Sequence, residues 1–216
     1  MFLLTGIPRS GNRWLMRSLG ITYSTPWYMK RKEIPAYIGE RQILRGHIPA
    51  FPEIRNLNHL TVVYLSRRNI RDQIVSWTNH QSNMIPPPYI EDYQPWHEIP
   101  NAIRTNANIY PLLDPWLEHA DHVVFYEDLC EDFEKATAPI YREIEHIDLQ
   151  TGIQEAHKPP DMRTFNKGCS GINQYLDVWN DEYEALYQEH FQEIESYRHE
   201  TLTAACSSAD AVSTTP

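Results

Sequence analysis

The fold is decided by the stretch Phe2-Leu3-Leu4-Thr5-Gly6-Ile7-Pro8-Arg9-Ser10-Gly11-Asn12-Arg13-Trp14. Its first residues form a short apolar run that ends at Gly6, a pattern typical of a buried strand. Apolar residues then recur with helical spacing over 13–19, and Gly20 ends that helix. A loop between a strand and a helix directs backbone N–H groups and the positive end of the helix dipole at an anion. The sequence therefore predicts an anion-binding loop at residues 6–12.

This loop differs from the Walker motif of nucleotide triphosphatases, GxxxxGK[ST]. Gly6 and Gly11 have the spacing of its two glycines, but Asn12 replaces the lysine and Arg13 replaces the magnesium-binding serine or threonine. The loop thus lacks the metal ligand, and we expect it to bind phosphate through amides, hydroxyls, Arg9 and Arg13. The alternative interpretation is a glycine turn that only joins a strand to a helix, because short glycine motifs match often.

Strands and helices alternate along the rest of the chain. We expect strands at 41–48, 61–66 and 122–126, and helices at about 69–80, 101–119, 133–147 and 180–199. We expect Asn69 as an N-cap, interruptions at Pro111 and Pro115, and connections at 81–100 and 150–174. The alternation predicts the α/β class: a single P-loop-like domain over residues 1–200, with a central parallel sheet flanked by helices. Residues 201–216 are small and polar, which favours a disordered C-terminal tail.

Charge and composition narrow the classes of partner. The formal net charge of −10 argues against nucleic acid. Residues 1–80 nevertheless carry 12 Lys and Arg against 4 Asp and Glu, whereas residues 81–216 carry 7 against 25. A basic half in an acidic chain favours a focused anion site. No apolar run approaches the ~18 residues of a membrane span, signal-peptide features are lacking, and three scattered cysteines form no CxxC pair. We therefore expect a cytoplasmic protein without a membrane span, disulfide framework or cysteine-based zinc site.

A second stretch, residues 62–76, reads Val-Val-Tyr-Leu-Ser-Arg-Arg-Asn-Ile-Arg-Asp-Gln-Ile-Val-Ser. Together with the first loop it resembles the sulfotransferases that use 3′-phosphoadenosine 5′-phosphosulfate (PAPS). In that family a PKSGTTW-like loop binds the 5′-phosphosulfate, and a strand followed by R-(N/D)-x-(K/R)-D-x-x-x-S binds the 3′-phosphate. The resemblance implies the donor-binding residues Arg9, Ser10, Gly11, Asn12, Arg13, Trp14, Arg68 and Ser76. An additional arginine at the strand end, Arg67, is the alternative to Arg68 or shares its role.

Further segments extend the resemblance over most of residues 2–190. Residues 44–49, Leu-Arg-Gly-His-Ile-Pro, look like the family's K-T-H-L-P strand end, whose histidine is the catalytic base. A histidine titrates near neutrality and can take a proton from an attacking hydroxyl. The resemblance therefore implies His47 as base, with Arg9 and Arg45 stabilising charge on the transferred group and the leaving phosphate. The other nine histidines, His80 among them, have no comparable context.

Two more segments are assigned by the same resemblance. Residues 125–129, Phe-Tyr-Glu-Asp-Leu, look like the family's Y-E-D-(L/M) strand end, which implies that Tyr126 contacts the adenine side. Trp14 either stacks on the base or packs in the core. Residues 166–171, Asn-Lys-Gly-Cys-Ser-Gly, resemble the R-K-G-x-x-G loop that closes over the 3′-phosphate, which implies Lys167 and Gly168. Asn166 stands where the family has arginine.

The expected activity is transfer of the sulfuryl group from PAPS to a hydroxyl of a small-molecule alcohol or phenol, without a metal. One alternative is a P-loop phosphotransferase that uses magnesium and ATP. The other is a catalytically inactive protein that binds PAPS or its product, 3′-phosphoadenosine 5′-phosphate (PAP). The lining of the acceptor pocket is not assigned, because two interpretations fit the same residues. Met84, Tyr89, Tyr93 and Trp96 either line the pocket or form a small core under a proline-rich loop.

Overall fold

The structure, a computed structural model, describes residues 2–20, 43–57, 59–84, 98–143, 148–157 and 172–213 of the 216-residue chain. Its strands are β1 (Phe2–Gly6), β2 (Ile43–Arg45), β3 (Thr61–Ser66) and β4 (His122–Phe125). They form a parallel sheet with the order β2-β1-β3-β4. Because β1 lies between β2 and β3, the loop that leaves its carboxyl end lies beside the ends of both neighbours.

Helices follow the strands along the chain. Their bounds are α1 (Asn12–Ser18), α2 (Pro52–Arg55), α3 (Ile70–Met84), α4 (Ile99–Leu113), α5 (Trp116–His119), α6 (Tyr126–Glu131), α7 (Phe133–Tyr141), α8 (Leu149–His157) and α9 (Asp181–Ser213), and a 3-10 turn spans Gln174–Asp177.

Two hydrophobic cores lie on opposite sides of the sheet. Successive side chains of a strand point to opposite faces, so Leu3 and Tyr64 pack with residues of α3, α4 and α9. Leu4 and Val63 pack instead with residues of α1, α6, α7 and α8. Helices therefore cover both faces of a parallel sheet, which confirms the mixed α/β class predicted from the alternating pattern.

The two glycines of the first loop are required for different reasons. A Cβ on Gly6 would lie 2.3 Å from the carbonyl oxygen of Leu65, so only glycine allows β1 and β3 to pair this closely. Gly11 has a φ of 82°, a left-handed conformation that residues with a Cβ rarely adopt. Gly6 therefore closes the sheet beneath the loop, and Gly11 turns the chain into α1.

In the second half of the chain, two helices differ most from the sequence-based expectation. Helix α8 occupies the start of the predicted loop 150–174, because Ile153 and Ala156 pack on the core that contains α1. Its Gly152 is tightly enclosed, since an added Cβ would collide with the hydroxyl of Tyr141. Helix α9 continues to Ser213, past residue 200, through most of the segment predicted to be a disordered tail. That segment is rich in alanine, which has the highest helix propensity.

Candidate anion-binding site

The loop at residues 6–12 is held from both sides by side-chain amides. Asn12 Nδ2 donates to the carbonyl of Ile7 at 2.7 Å. Gln73 Nε2, from α3, donates to the carbonyl of Pro8 at 2.9 Å. Arg9 itself has a φ of 69°, an uncommon conformation for a residue other than glycine. The carbonyl oxygens of Ile7 and Pro8 are therefore both hydrogen-bonded to side chains, and the Arg9 backbone is held in a strained turn.

The two motifs that were predicted to share an anion meet in the structure. Arg9 Nε donates to Ser76 Oγ at 3.3 Å, joining the first loop to α3. Arg67 Nε donates to the carbonyl oxygen of Arg9 at 2.9 Å, and its guanidinium carbon lies 4.1 Å from the centre of the Tyr126 ring. Side chains from the loop, the end of β3 and α3 thus come together at the carboxyl edge of the sheet.

Four arginines, Arg9, Arg13, Arg45 and Arg67, form what we call the cationic cluster. Burial, followed by the nearby charges of Arg67 and Arg13, lowers the pKa of Arg9 to about 10. Burial and the charge of Arg13 also lower the pKa of Arg45. Like charges held close together disfavour one another's charged forms, and burial of Arg67 and partial burial of Arg9 and Arg45 add to that cost, whereas Arg13 is exposed. A bound anion would relieve that repulsion, so the electrostatics of the cluster favour an anionic ligand.

Hydrogen-bonding groups inside the site support the same conclusion. Within the described part of the chain, Ser10 Oγ and Arg45 Nε are buried and have no hydrogen-bond partner, and the same holds for Asn12 Oδ1. Buried polar atoms are almost always paired, because an unmade hydrogen bond costs about 1–3 kcal/mol. Ser10 and Arg45 carry donors that suit a phosphate or sulfate oxygen, so the residues present fit a phosphosulfate group.

His47 lies where the predicted base should lie, beside the end of β1. Its Nδ1 is 2.6 Å from the carbonyl oxygen of Gly6. Because a carbonyl only accepts, Nδ1 carries the proton and the basic lone pair belongs to Nε2. Burial, and to a lesser extent the charge of Arg45, lowers the pKa of His47 to about 4. The imidazole is therefore neutral at pH 7 and able to accept a proton.

The Arg68 side chain contacts residues at and after the end of β4, the strand that follows β3 in the sheet. Its guanidinium forms an ion pair with Asp128 and packs on the ring of Phe125. Glu127 accepts the backbone N–H of Arg68 at 3.1 Å. The Arg68 side chain is 54% exposed, whereas Arg67 is 2% exposed and contacts the loop. Of the two alternatives, the structure brings Arg67 to the loop, because Arg68 forms its hydrogen bonds and ion pair with Glu127 and Asp128 after β4.

The aromatic residues assigned to adenine are both buried in the core. Trp14 is 7% exposed, its ring contacts Tyr126 and Phe133, and its Nε1 donates to the carbonyl of Ala156 at 3.1 Å. Tyr126 is equally buried and lies beneath Arg67. Lys167 and Gly168 lie outside the described residues, as do Tyr89, Tyr93 and Trp96 of the suggested acceptor loop.

One residue near the cluster was missed by the sequence analysis. His80 lies one helical turn after Ser76 on α3, on the same face of the helix. Burial, and then the charges of Arg9 and Arg13, lower the pKa of His80. The spacing of four residues from Ser76 was the available signal, since it places His80 beside any group that Ser76 contacts.

Comparisons with known proteins add no functional assignment. No protein-family model matches this chain, and no curated protein matches it. Among the described residues, no group of three or more His, Cys, Asp or Glu side chains is arranged to hold a metal ion. No helix in the same ranges has both the length and the apolar character needed to cross a membrane. The cationic cluster and the side chains around it are therefore the features that bear on function.

Proposed function

We propose that this chain is a single P-loop-like domain that binds PAPS and transfers its sulfuryl group to a hydroxyl of a small-molecule alcohol or phenol. One observation carries the proposal: Arg9 Nε donates to Ser76 Oγ across 67 residues of sequence, which joins the two motifs on which the resemblance rests. The cationic cluster around that contact supplies the charge that a phosphosulfate and a 3′-phosphate require.

The donor would be held by side chains already directed at the loop. Ser10 and Arg45 have buried groups without partners in the described ranges, and the Arg9 side chain reaches from the loop to Ser76. Arg67 replaces Arg68 as the arginine that completes the site. When bound, PAPS supplies a sulfuryl group whose bond to the 5′-phosphate breaks as the acceptor oxygen attacks, and the phosphate leaves with the electron pair.

His47 is the proposed general base. Its Nδ1–H bond to the Gly6 carbonyl holds the ring orientation and leaves Nε2 as the atom that takes the proton of the acceptor hydroxyl. Arg45 contributes to the low pKa of His47, so a bound anion that offsets the charge of Arg45 raises that pKa toward neutrality. His47 thus becomes a stronger base when the donor is in place.

Turnover in the presence of a chelator tests this function. The protein is incubated with PAPS, EDTA and a panel of phenols and alcohols, and both PAP and sulfated product are quantified by mass spectrometry. We expect stoichiometric formation of PAP and one sulfated product, no product with His47→Ala, and unchanged turnover with Arg104→Gln, an exposed arginine of α4. Transfer of phosphate from ATP to the same acceptors, in a parallel reaction with magnesium and without EDTA, would contradict the proposal. Binding of PAPS without turnover across the panel would instead favour a binding protein.

A further inference from the structure

Arg198 of α9 forms a second set of buried hydrogen bonds, next to Arg67 of the cationic cluster. Arg198 of α9 is 5% exposed, and its guanidinium reaches the carboxyl end of β3. There Nη1 donates to Ser66 Oγ at 3.1 Å, and Nη2 donates to the carbonyl oxygen of Arg67 at 2.6 Å. The C-terminal helix therefore bonds directly to the backbone of the residue whose side chain enters the anion site.

The Arg198 guanidinium is itself held by an acidic partner. Nη1 also donates to Asp114 Oδ1 at 2.9 Å, and the hydroxyl of Tyr64 donates to the same carboxylate oxygen at 2.7 Å. Asp114 follows α4 and Tyr64 lies within β3, and both are almost fully buried. A guanidinium with this number of fixed partners has little freedom to move, so it acts as a rigid tie between α9, α4 and β3.

The tie acts on Arg67, a residue that lies between like and opposite charges. Its Nε donates to the Arg9 carbonyl, while the Arg67 and Arg9 guanidinium groups repel each other in the same buried region. Burial raises the pKa of Asp72 and the charge of Arg67 opposes that rise, so the Asp72 carboxylate attracts the guanidinium that Arg9 repels. The bond to the Arg67 carbonyl fixes the point from which the Arg67 side chain starts, because the backbone at the end of β3 cannot rotate without breaking the bond to Arg198.

We infer that Arg198 is a positioning residue for the anion site: α9 holds the backbone of Arg67 so that its guanidinium remains at the loop. This inference rests on the anion site of the proposed function, but not on the identity of the donor. It also gives the last helix a functional role, although no side chain of α9 is proposed to touch the ligand.

The test uses full-length protein and calorimetric titration with inorganic pyrophosphate, which needs only the cationic cluster. Arg198→Lys keeps the charge but loses the planar fork, so we expect pyrophosphate binding to weaken about 5- to 10-fold, as for the loss of one or two hydrogen bonds. Arg198→Met combined with Asp114→Asn removes both charges and avoids a lone buried carboxylate. We expect at least the same loss from that double variant.

Two controls separate positioning from a general loss of stability. Glu184 lies on α9, as Arg198 does, and forms an ion pair with Arg71 of α3. Glu184→Gln removes that ion pair, so it weakens the packing of α9 without changing a contact to β3. We expect its pyrophosphate affinity to stay within about twofold of the original protein, because no bond to the cluster changes. In an Arg67→Gln background, we expect Arg198→Lys to have no further effect on binding, since the side chain it positions is gone.

The inference is overturned if Arg198→Lys weakens binding equally with and without Arg67, or if Glu184→Gln weakens it as much. Failure of the original protein to bind pyrophosphate also overturns it. Failure of the proposed function gives a different result. In that case pyrophosphate binds and depends on Arg198 and Arg67, whereas PAP binds no more tightly than AMP.

Discussion

Replacing Arg9 with glutamine separates the binding role of this residue from its effect on the free protein. Its guanidinium is mostly buried and lies near Arg67 and Arg13, and its bond to Ser76 Oγ is long, at 3.3 Å. A residue kept for the fold should stabilise the free protein. A residue kept for an anion should instead destabilise it, because its charge is uncompensated until the ligand binds.

The magnitude follows from the lowered pKa of Arg9, which burial and neighbouring arginines bring to about 10. One pKa unit corresponds to about 1.4 kcal/mol, so holding the charged form costs roughly 3 kcal/mol at any pH below the folded pKa. Arg9→Gln removes this cost and loses the hydrogen bond to Ser76, worth about 1 kcal/mol. We expect a net gain of about 1–2 kcal/mol, or about 2–8 °C in Tm for a chain of this length.

Two assays on the same preparation check this prediction. Thermal unfolding without ligand should show the increase in Tm, and calorimetry should show PAP binding weakened by about 10- to 100-fold, as for the loss of a charged hydrogen bond. Arg104→Gln, the exposed control, should change neither. A fall in Tm together with unchanged PAP affinity would refute the reasoning, because Arg9 would then be a structural residue.

Three further predictions concern single side chains. His47→Ala should abolish turnover and leave PAP affinity nearly intact. Because burial lowers the pKa of His47 to about 4, the free energy of unfolding of the original protein should decrease as the pH falls from about 6.5 to 4. In urea titrations, His47→Asn should make that decrease smaller. Arg67→Gln should weaken PAP binding about 10- to 100-fold and Arg68→Gln less than about 3-fold in parallel calorimetry, because only Arg67 contacts the loop. Asn69→Ala should cost about 1 kcal/mol of unfolding free energy in urea and leave PAP affinity unchanged, since the Asn69 side chain only caps α3.

Local pattern was sufficient where neighbouring residues decide the structure. The apolar runs at β1 and β3 became central strands, and the side-chain oxygen of Asn69 accepts the Arg71 N–H at 3.0 Å, as an N-cap should. Pro115 ends α4 and precedes α5 as expected, but Pro111 lies inside α4 without breaking it. Packing of α4 against α9 and the core outweighs the local cost of that proline.

Contacts between distant segments set the limit of what the sequence could predict about the site. Motif spacing selects Arg68, but Asp128 lies 60 residues further along and takes its guanidinium. Trp14 fits either adenine stacking or the core, and in the structure its ring packs on Phe133 in the core. Neither contact leaves a periodic trace in the sequence, because both depend on how β4 and the helices after it pack beside β3.

Calorimetric titration with PAP, with and without magnesium and against ATP and AMP, tests the central claim most directly. The cationic cluster and the loop without a metal ligand predict tight binding of PAP that is independent of magnesium and much weaker for AMP, which lacks the 3′-phosphate. Absence of PAP binding, or a preference for ATP that requires magnesium, would contradict the account and favour a phosphotransferase.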